Sequence, residues 1–343
     1  MAAGTSLPSD FTPVPQVMLP HMRQAFVTRS AEMLGQVLGS TANFPIQLMN
    51  DPGFIGGGQY LEGPTFVQIV AETRRDITSV SAITADKITG VNNKGVIQNR
   101  RTNLISFADD TFIAGFNREQ ISAELGQQLG EQVAEGMCAN IIAALRGIIE
   151  AVTSSAHTKD VWSASVKTLL TPDLIDDGRF LMGDRMDRIT HMIVRGESNR
   201  DLRSDAIGRG YDTVGGLALQ GADNRNQHGL IKSVRDDSLL QVADAGYNKA
   251  ITLLLGAGVL KFWFVKPVEV ETIRFITNET KSTSWRADWD QGVQCGALAY
   301  NSGAGGANPS TSALATSANW TDNMTSAKEL NAVEIIHNAT AFN

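Results

Sequence analysis

The segment NREQISAELGQQLGEQVAEGMCANIIAALRGIIEAV, residues 117–152, constrains this chain more than any other. Ile121, Leu125, Leu129, Val133, Met137, Ile141, Leu145 and Ile148 or Ile149 recur at steps of three and four. That spacing keeps one stripe of a helix apolar. Asn117 with Gln120 resembles a capping box and marks the start. At ~1.5 Å per residue the segment predicts a rod on the order of 50 Å long, well beyond the usual helix of a globular protein. Gly126, Gly130, Gly136 and Gly147 interrupt it. Each costs about 1 kcal/mol relative to Ala inside a helix, so they predict another backbone packed close by rather than a free coiled coil.

Upstream, Pro8, Pro13, Pro15 and Pro20 make residues 1–20 an extended arm, followed by a short helical pattern from Met22 to Leu38. TFVQIVAE (65–72) reads as a strand. The next residues, TRRDITSVSAITADKITGVNNKGVIQNRRTNLISF, are β-prone without a clean apolar face, and GVNNKG supplies a turn signal. Two half-strands that bury neither face predict a long projecting hairpin, ordered by contact with a neighbour. Arg74–Arg75 and Arg100–Arg101 fall on its two sides. Two readings stand for them: a solvated charged face, or inter-subunit pairing with carboxylates.

Downstream, TPDLIDDGRFLMGDRMDRI predicts a helix capped by Thr171 with Pro172 at its first position. HMIVR reads as a strand and ESNRDLRSDAI as a short helix. GLIKSV, SLLQVAD, AITLLL and VLKFWFVKPVEVETIRFI read as strands, and TSWRADWDQGVQCGALAYN as a last β-rich run. Residues 303–320, GAGGANPSTSALATSANW, have the composition of a linker, yet no large domain follows them. They are better read as an ordered surface segment, anchored by Trp320 in an apolar pocket that a neighbouring subunit helps to build.

The chemistry expected of an enzyme is missing from the sequence. Gly56–Gly57–Gly58 lacks the Lys-Ser/Thr of a phosphate loop, and GRGYDTVGG is not ordered as a dinucleotide fingerprint. The Asp pairs 109–110, 176–177 and 236–237 have no EF-hand spacing. The five histidines are dispersed, and Cys138 and Cys295 form no CxxC pair. We therefore expect no catalytic, cofactor-binding or metal site. A net charge of −7 argues against a general nucleic-acid binder. No signal-peptide pattern opens the chain, and the most apolar run, AITLLLGAGVLKFWFVKP, is broken by Gly256, Gly258 and Lys261, so no membrane partner is expected.

An N-arm, a long polar hairpin, one very long helix, a compact α/β region and a β-rich return follow one another in that order. That order, with ITADKITGVNNKGVIQNRR, LGEQVAEGM, GDRMDRITHMIVR and GGANPSTSALATSANW, resembles the major capsid proteins of tailed bacteriophages. The resemblance implies an α+β, HK97-like fold. By it, residues 1–62 are an N-arm, and 63–108 an E-loop hairpin with its tip near Thr89–Gly95. Residues 109–159 carry the spine helix of the P domain, 160–272 form the A domain, and 273–343 supply P-domain return strands and a C-terminal surface segment. It also implies a non-enzymatic coat protein. Its copies form pentamers and hexamers of an icosahedral head that encloses double-stranded DNA without reading its sequence. Assembly takes place in the host cytoplasm, with scaffolding, portal and decoration proteins as candidate partners. Some relatives cross-link an E-loop lysine to a neighbour, which makes Lys87 and Lys94 candidates. The implied inter-subunit set is Arg74, Arg75, Lys87, Lys94, Arg100, Arg101 and Trp320. An encapsulin-like, cargo-enclosing shell and a soluble enzyme with its site in 160–272 are the rival readings.

Overall fold

The rod forms as its spacing requires. In the computed structural model, α1 spans Pro15–Leu34 and α2 spans Arg118–Ala151, 34 residues long. The structure describes residues 15–49, 60–66, 90–103, 105–108, 118–152, 157–163, 165–210, 230–235, 238–244, 247–276, 281–324 and 326–338. Leu129, Val133, Met137, Ile141, Leu145, Ile148 and Ile149 of the predicted stripe are all buried. Along its first half α2 packs against α1, where Met18 and Met22 meet Leu129 and Val133.

The glycines explain how close that packing is. A Cβ on Gly126 would strike the carbonyl oxygen of Met18, and one on Gly130 that of Met22, both on α1. At Gly147 it would meet the Leu314 carbonyl and the Trp320 ring. Gly136 has nothing within 4 Å, so packing gives no reason for it.

One expectation fails here. Residues 15–20 are helical rather than extended, with Pro15 opening α1 and Pro20 inside it. Pro20 gives up one helical hydrogen bond, at a cost of about 3 kcal/mol. Burial of Met18 and Met22 on either side offsets that cost by tertiary packing, which local propensity does not register.

The described residues form fifteen strands, numbered along the chain. The first sheet has seven: β1 (Leu38–Gly39), β2 (Ile46–Leu48), β3 (Tyr60–Phe66), β4 (Gly90–Arg101), β5 (Ile105–Ala108), β11 (Leu260–Ile276) and β12 (Lys281–Cys295). Their order is β1-β2-β11-β12-β4-β3, with β5 also on β12. The second has six: β6 (Thr158–Asp160), β7 (Ile189–Val194), β8 (Ile231–Val234), β9 (Gln241–Asp244), β10 (Tyr247–Gly256) and β15 (Ala332–Asn338). Their order is β6-β15-β10-β7-β8, with β9 on β10. β13 (Leu298–Tyr300) and β14 (Trp320–Asp322) pair with each other. The boundary drawn at residue 272 falls inside β11, and the tail strand β15 sits between β6 and β10.

Two cores flank the second sheet, and strand alternation sorts residues between them. Ile251, Leu253, Leu255 and Ala332 face the core built on α2, which also holds Leu260, Phe262 and Val293 of the first sheet. Leu254, Val333 and Ile335 face the opposite side, against Leu174 and Ile175 of α3 (Pro172–Phe180) and Leu202 of α4 (Gly196–Gly210). The predicted helix from Thr171 stops at Phe180, and a 3-10 turn follows over Gly183–Arg188, entered through Gly183 at φ +56°. The predicted cap is present: the Leu174 N–H donates to Thr171 Oγ1 at 3.3 Å. Thr171→Ala should cost about 1 kcal/mol, read as a lower denaturant midpoint at unchanged m-value.

Candidate functional site

β4 changes partners halfway along its length. Residues 96–101 pair with β12, from Val96↔Val293 to Arg101↔Asp288. Residues 90–96 pair instead with β3, from Tyr60↔Val96 to Phe66↔Gly90. Beyond Val96, then, β3 and β4 leave the body of the sheet as a two-stranded ribbon. At ~3.4 Å per residue its described part extends on the order of 20 Å. Gly95 lies where the strands part, and a Cβ there would come within 3.0 Å of the Val293 carbonyl and of Gln294 Cβ.

This corrects the turn predicted at Thr89–Gly95. Gly90, Asn92, Asn93 and Gly95 are turn formers by composition, but residues 90–95 are strand because β3 offers them a complete partner. Residues 67–89, with Arg74, Arg75 and Lys87, lie outside the described residues. Lys94 is described, half-buried and opposite Glu62 across the ribbon.

The root of the ribbon is clamped by the stretch 302–320. α5 (Ser302–Gly305) and α6 (Thr311–Ala315) make that stretch an ordered, capped segment. The Asn301 side chain caps α5, accepting from the Gly303 N–H, and Ser310 caps α6, accepting from the Ala313 N–H. The Gln98 amide donates to the Pro309 carbonyl at 2.7 Å, and Gln291 donates to Gln98 Oε1 at 2.8 Å. The Asn99 N–H donates to Asn308 Oδ1 at 3.0 Å. Arg100 Nη2 reaches Asn140 Oδ1 of α2 at 2.8 Å and Thr311 Oγ1 at 3.3 Å, while the Thr311 hydroxyl donates to the same Asn140 oxygen at 2.7 Å. Three separate segments thus converge on one stretch of β4. Burial holds the Arg100 guanidinium below its usual pKa.

Trp320 is the anchor that the sequence suggested, but its own chain builds the whole pocket. The side chain is 4 % exposed, its Nε1–H donates to the Leu314 carbonyl at 2.8 Å, and its ring meets Tyr300 edge-on at 5.2 Å. It offers almost no surface to a neighbour. Arg100 is likewise engaged within the subunit, whereas Arg101 is exposed opposite Asp288. Asn140 and Thr311 were not singled out in advance. The signal for Asn140 was present, since it is a polar residue inside the helix's most apolar run.

Two ionisable groups are buried on opposite faces of β15. Glu334 faces α2, has no hydrogen-bond partner on either oxygen among the described residues, and is pushed up to about 8 by desolvation, with Glu150 adding to the rise. His337 is pushed down to about 4 by burial. No group of three or more metal-ligating side chains occurs among the described residues, and Cys138 and Cys295 are buried thiols. One described helical stretch, Ser122–Ala151 of α2, has the length and apolar character of a membrane span, and 72% of its most apolar window is buried inside the fold.

A family model described as Gp13-like, major capsid protein 13-like, matches residues 42–333. No match is found among curated protein sequences. Among solved structures the chain is similar to the capsid of Ralstonia phage GP4 at 11% identity and TM-score 0.54, covering 90% of this chain and 91% of that one. It is similar to the capsid of cyanophage Pam1 at 12% identity and TM-score 0.55, covering 89% and 92%. The acid-stable capsid of Helicobacter pylori bacteriophage KHP30 follows at 10% identity and TM-score 0.52, covering 88% and 90%. At such identities the likeness carries the fold alone, which is HK97-like, as in those phage capsids.

Proposed function

The chain belongs to the Gp13-like family of major capsid proteins, coat proteins that form the phage head shell, and from that premise we propose how it assembles. Copies of this chain form rings of five and six that close into an icosahedral shell around double-stranded DNA, built in the host cytoplasm. It acts by assembly and not by catalysis. Residues 1–62 serve as an N-arm and 63–108 as an E-loop. The E-loop lies over a neighbouring copy and brings Arg74, Arg75 and Lys87 to it. Scaffolding, portal and decoration proteins are the expected further partners. Residues 109–159, with the α2 spine, and 273–343 form a P domain, and residues 160–272 an A domain.

The observation that carries this reading is the ribbon of β3 and β4, to which no third strand pairs beyond Val96 among the described residues. A lone two-stranded ribbon is marginal in water, so it gains its order from a surface it lies on. Heterologous contacts of this kind close into rings, and interfaces of about 2,000 Å2 supply the required burial.

Electron microscopy of the purified chain should show rings or shells. Deleting 68–88 with a short Asn-Gly turn in their place keeps β3, β4 and the clamp. That variant should fold with a near-normal melting temperature and fail to form shells. Normal shells from it would overturn the arm reading.

A further inference from the structure

Arg146 of α2 uses only part of its guanidinium. Its Nη2 donates to Glu150 Oε1 at 2.7 Å, one helical turn on, and its Nη1 donates to the Leu239 carbonyl at 2.8 Å. The Nε–H, which lies beside Nη2 in the planar fork, is buried and has no hydrogen-bond partner among the described residues. The Arg146 side chain is 14% exposed and that of Glu150 31%, so of the two the glutamate is the one that can turn out to water.

Glu334 is the complement of that unused donor. It sits on β15 opposite Leu253 of β10 and Thr158 of β6, fully buried, with both carboxyl oxygens unbonded among the described residues. Leu253 and Ala332, on the same face, pack into the core built on α2, which places the carboxyl beneath that helix. Arg146 favours its charged form, while Glu150 of α2 and Asp160 of β6 oppose it. The other neighbours bring no charge to it. His157, whose carbonyl accepts the Glu334 N–H, has its ring bound to the Ala327 and Ala332 carbonyls. The 3-10 turn Ser238–Leu240 is uncharged. A carboxylate buried without a hydrogen bond is costly, and a planar guanidinium with an N–H to spare supplies the two-point contact it requires.

We propose that Arg146 is a two-position latch between α2 and β15: it holds Glu150 and the Leu239 carbonyl while Glu334 carries a proton, and turns its Nε–Nη2 edge onto Glu334 when that proton leaves. Glu150 is then released to solvent, and Nη1 is drawn off the Leu239 carbonyl. The turn Ser238–Leu240 thereby loses its tie to α2. Ser238 walls a groove together with Glu135 and Ala139 of α2 and Val234 of β8, so the proton on Glu334 controls that wall. Burial, with Glu150 adding to it, pushes Glu334 up to about 8. The tie is therefore complete at lower pH and is lost as pH rises through that value. Both positions lie within one subunit, so the latch is independent of the ring reading above.

Amide exchange across residues 238–244 of the full chain tests the latch, expressed as protection relative to the intrinsic rate at about pH 6.5 and about pH 9. Infrared difference spectra follow the carboxyl proton itself, and near-UV circular dichroism reports the fold. The unaltered chain should lose protection there about tenfold, the worth of one hydrogen bond to a charged group. It should lose a protonated-carboxyl band over the same range. Glu334→Gln cannot ionise and should keep its protection at both values. Glu150→Gln removes a repulsion on Glu334 and a rival for Arg146, so the loss should move to lower pH. That side chain is partly exposed, so this variant should fold even if the buried one does not. A loss that persists in Glu334→Gln, or that stays at the same pH in Glu150→Gln, overturns the latch. A band that disappears while protection is unchanged shows the proton leaving without Arg146 moving, and also overturns it. The absence of any carboxyl band that titrates in this range, or a band unaltered by Glu334→Gln, shows that Glu334 carries no such proton and overturns it as well.

Discussion

Trp320→Ala should destabilise the subunit by about 3–5 kcal/mol, the range for removing a large buried aromatic side chain. The whole indole is enclosed: Tyr300 meets its ring edge-on, Gly147 of α2 lies beneath it, and its N–H is bound to the Leu314 carbonyl. Losing the ring opens a cavity in the main core and leaves a buried carbonyl without its donor. Trp320→Phe is the informative control, since it keeps an aromatic contact and loses the N–H, at about 1–3 kcal/mol for an unsatisfied buried group. The effect should not stay local. Trp320 and Leu314 hold α6, and β4 is held by Thr311 at the start of α6 and by Asn308 and Pro309 before it. Faster amide exchange in 96–101 as well as 302–319 is therefore expected, together with the lower urea midpoint. An Ala variant with an unchanged midpoint, or with faster exchange only next to residue 320, would show that the clamp and the ribbon root are not coupled.

What the sequence makes legible here depends on how local its cause is. The α2 stripe has a period of its own, so it survives any tertiary arrangement, and the glycines that interrupt it signalled close packing at three of their four positions. The Thr171 cap is likewise a matter of three adjacent residues. Pro20 misled because its cost is local while the gain from Met18 and Met22 lies across the gap to α2. GVNNKG misled for the same reason: its turn propensity was visible, and the strand that overrides it lies some thirty residues away. β15 completing a sheet begun at β6 has no local signature at all. Trp320 shows the boundary most clearly. That a Trp ending a run of small residues needs an apolar pocket is legible; whether the walls come from its own chain or a neighbour is decided only by where residues 147 and 300 arrive.

Stability should show a plateau between about pH 4.5 and 6.5 that one substitution converts into a slope. Glu334 keeps its proton in the folded chain up to about 8, against an ordinary 4.5, because desolvation penalises the carboxylate and Glu150 and Asp160 add repulsion that Arg146 only partly relieves. A raised acid binds more protons folded than unfolded, so its contribution is complete below 4.5 and is lost as pH rises to about 8, on the order of 4–5 kcal/mol in all. His337 works in the opposite sense. Buried as a neutral ring that donates to the Asn338 carbonyl and accepts from the Thr252 hydroxyl, it is held near 4 against an ordinary 6.5. Its contribution is present above 6.5 and lost as pH falls toward 4, on the order of 3 kcal/mol. Across the shared window the two slopes cancel, and above 6.5 only the loss from Glu334 remains, about 2 kcal/mol by pH 8. Glu334→Gln removes that loss and exposes the histidine slope, so the variant should gain stability from pH 4 to 6.5 and then level off. Urea midpoints taken at half-unit pH steps for both chains decide the matter. If the two profiles run parallel, Glu334 does not carry a proton in the folded subunit.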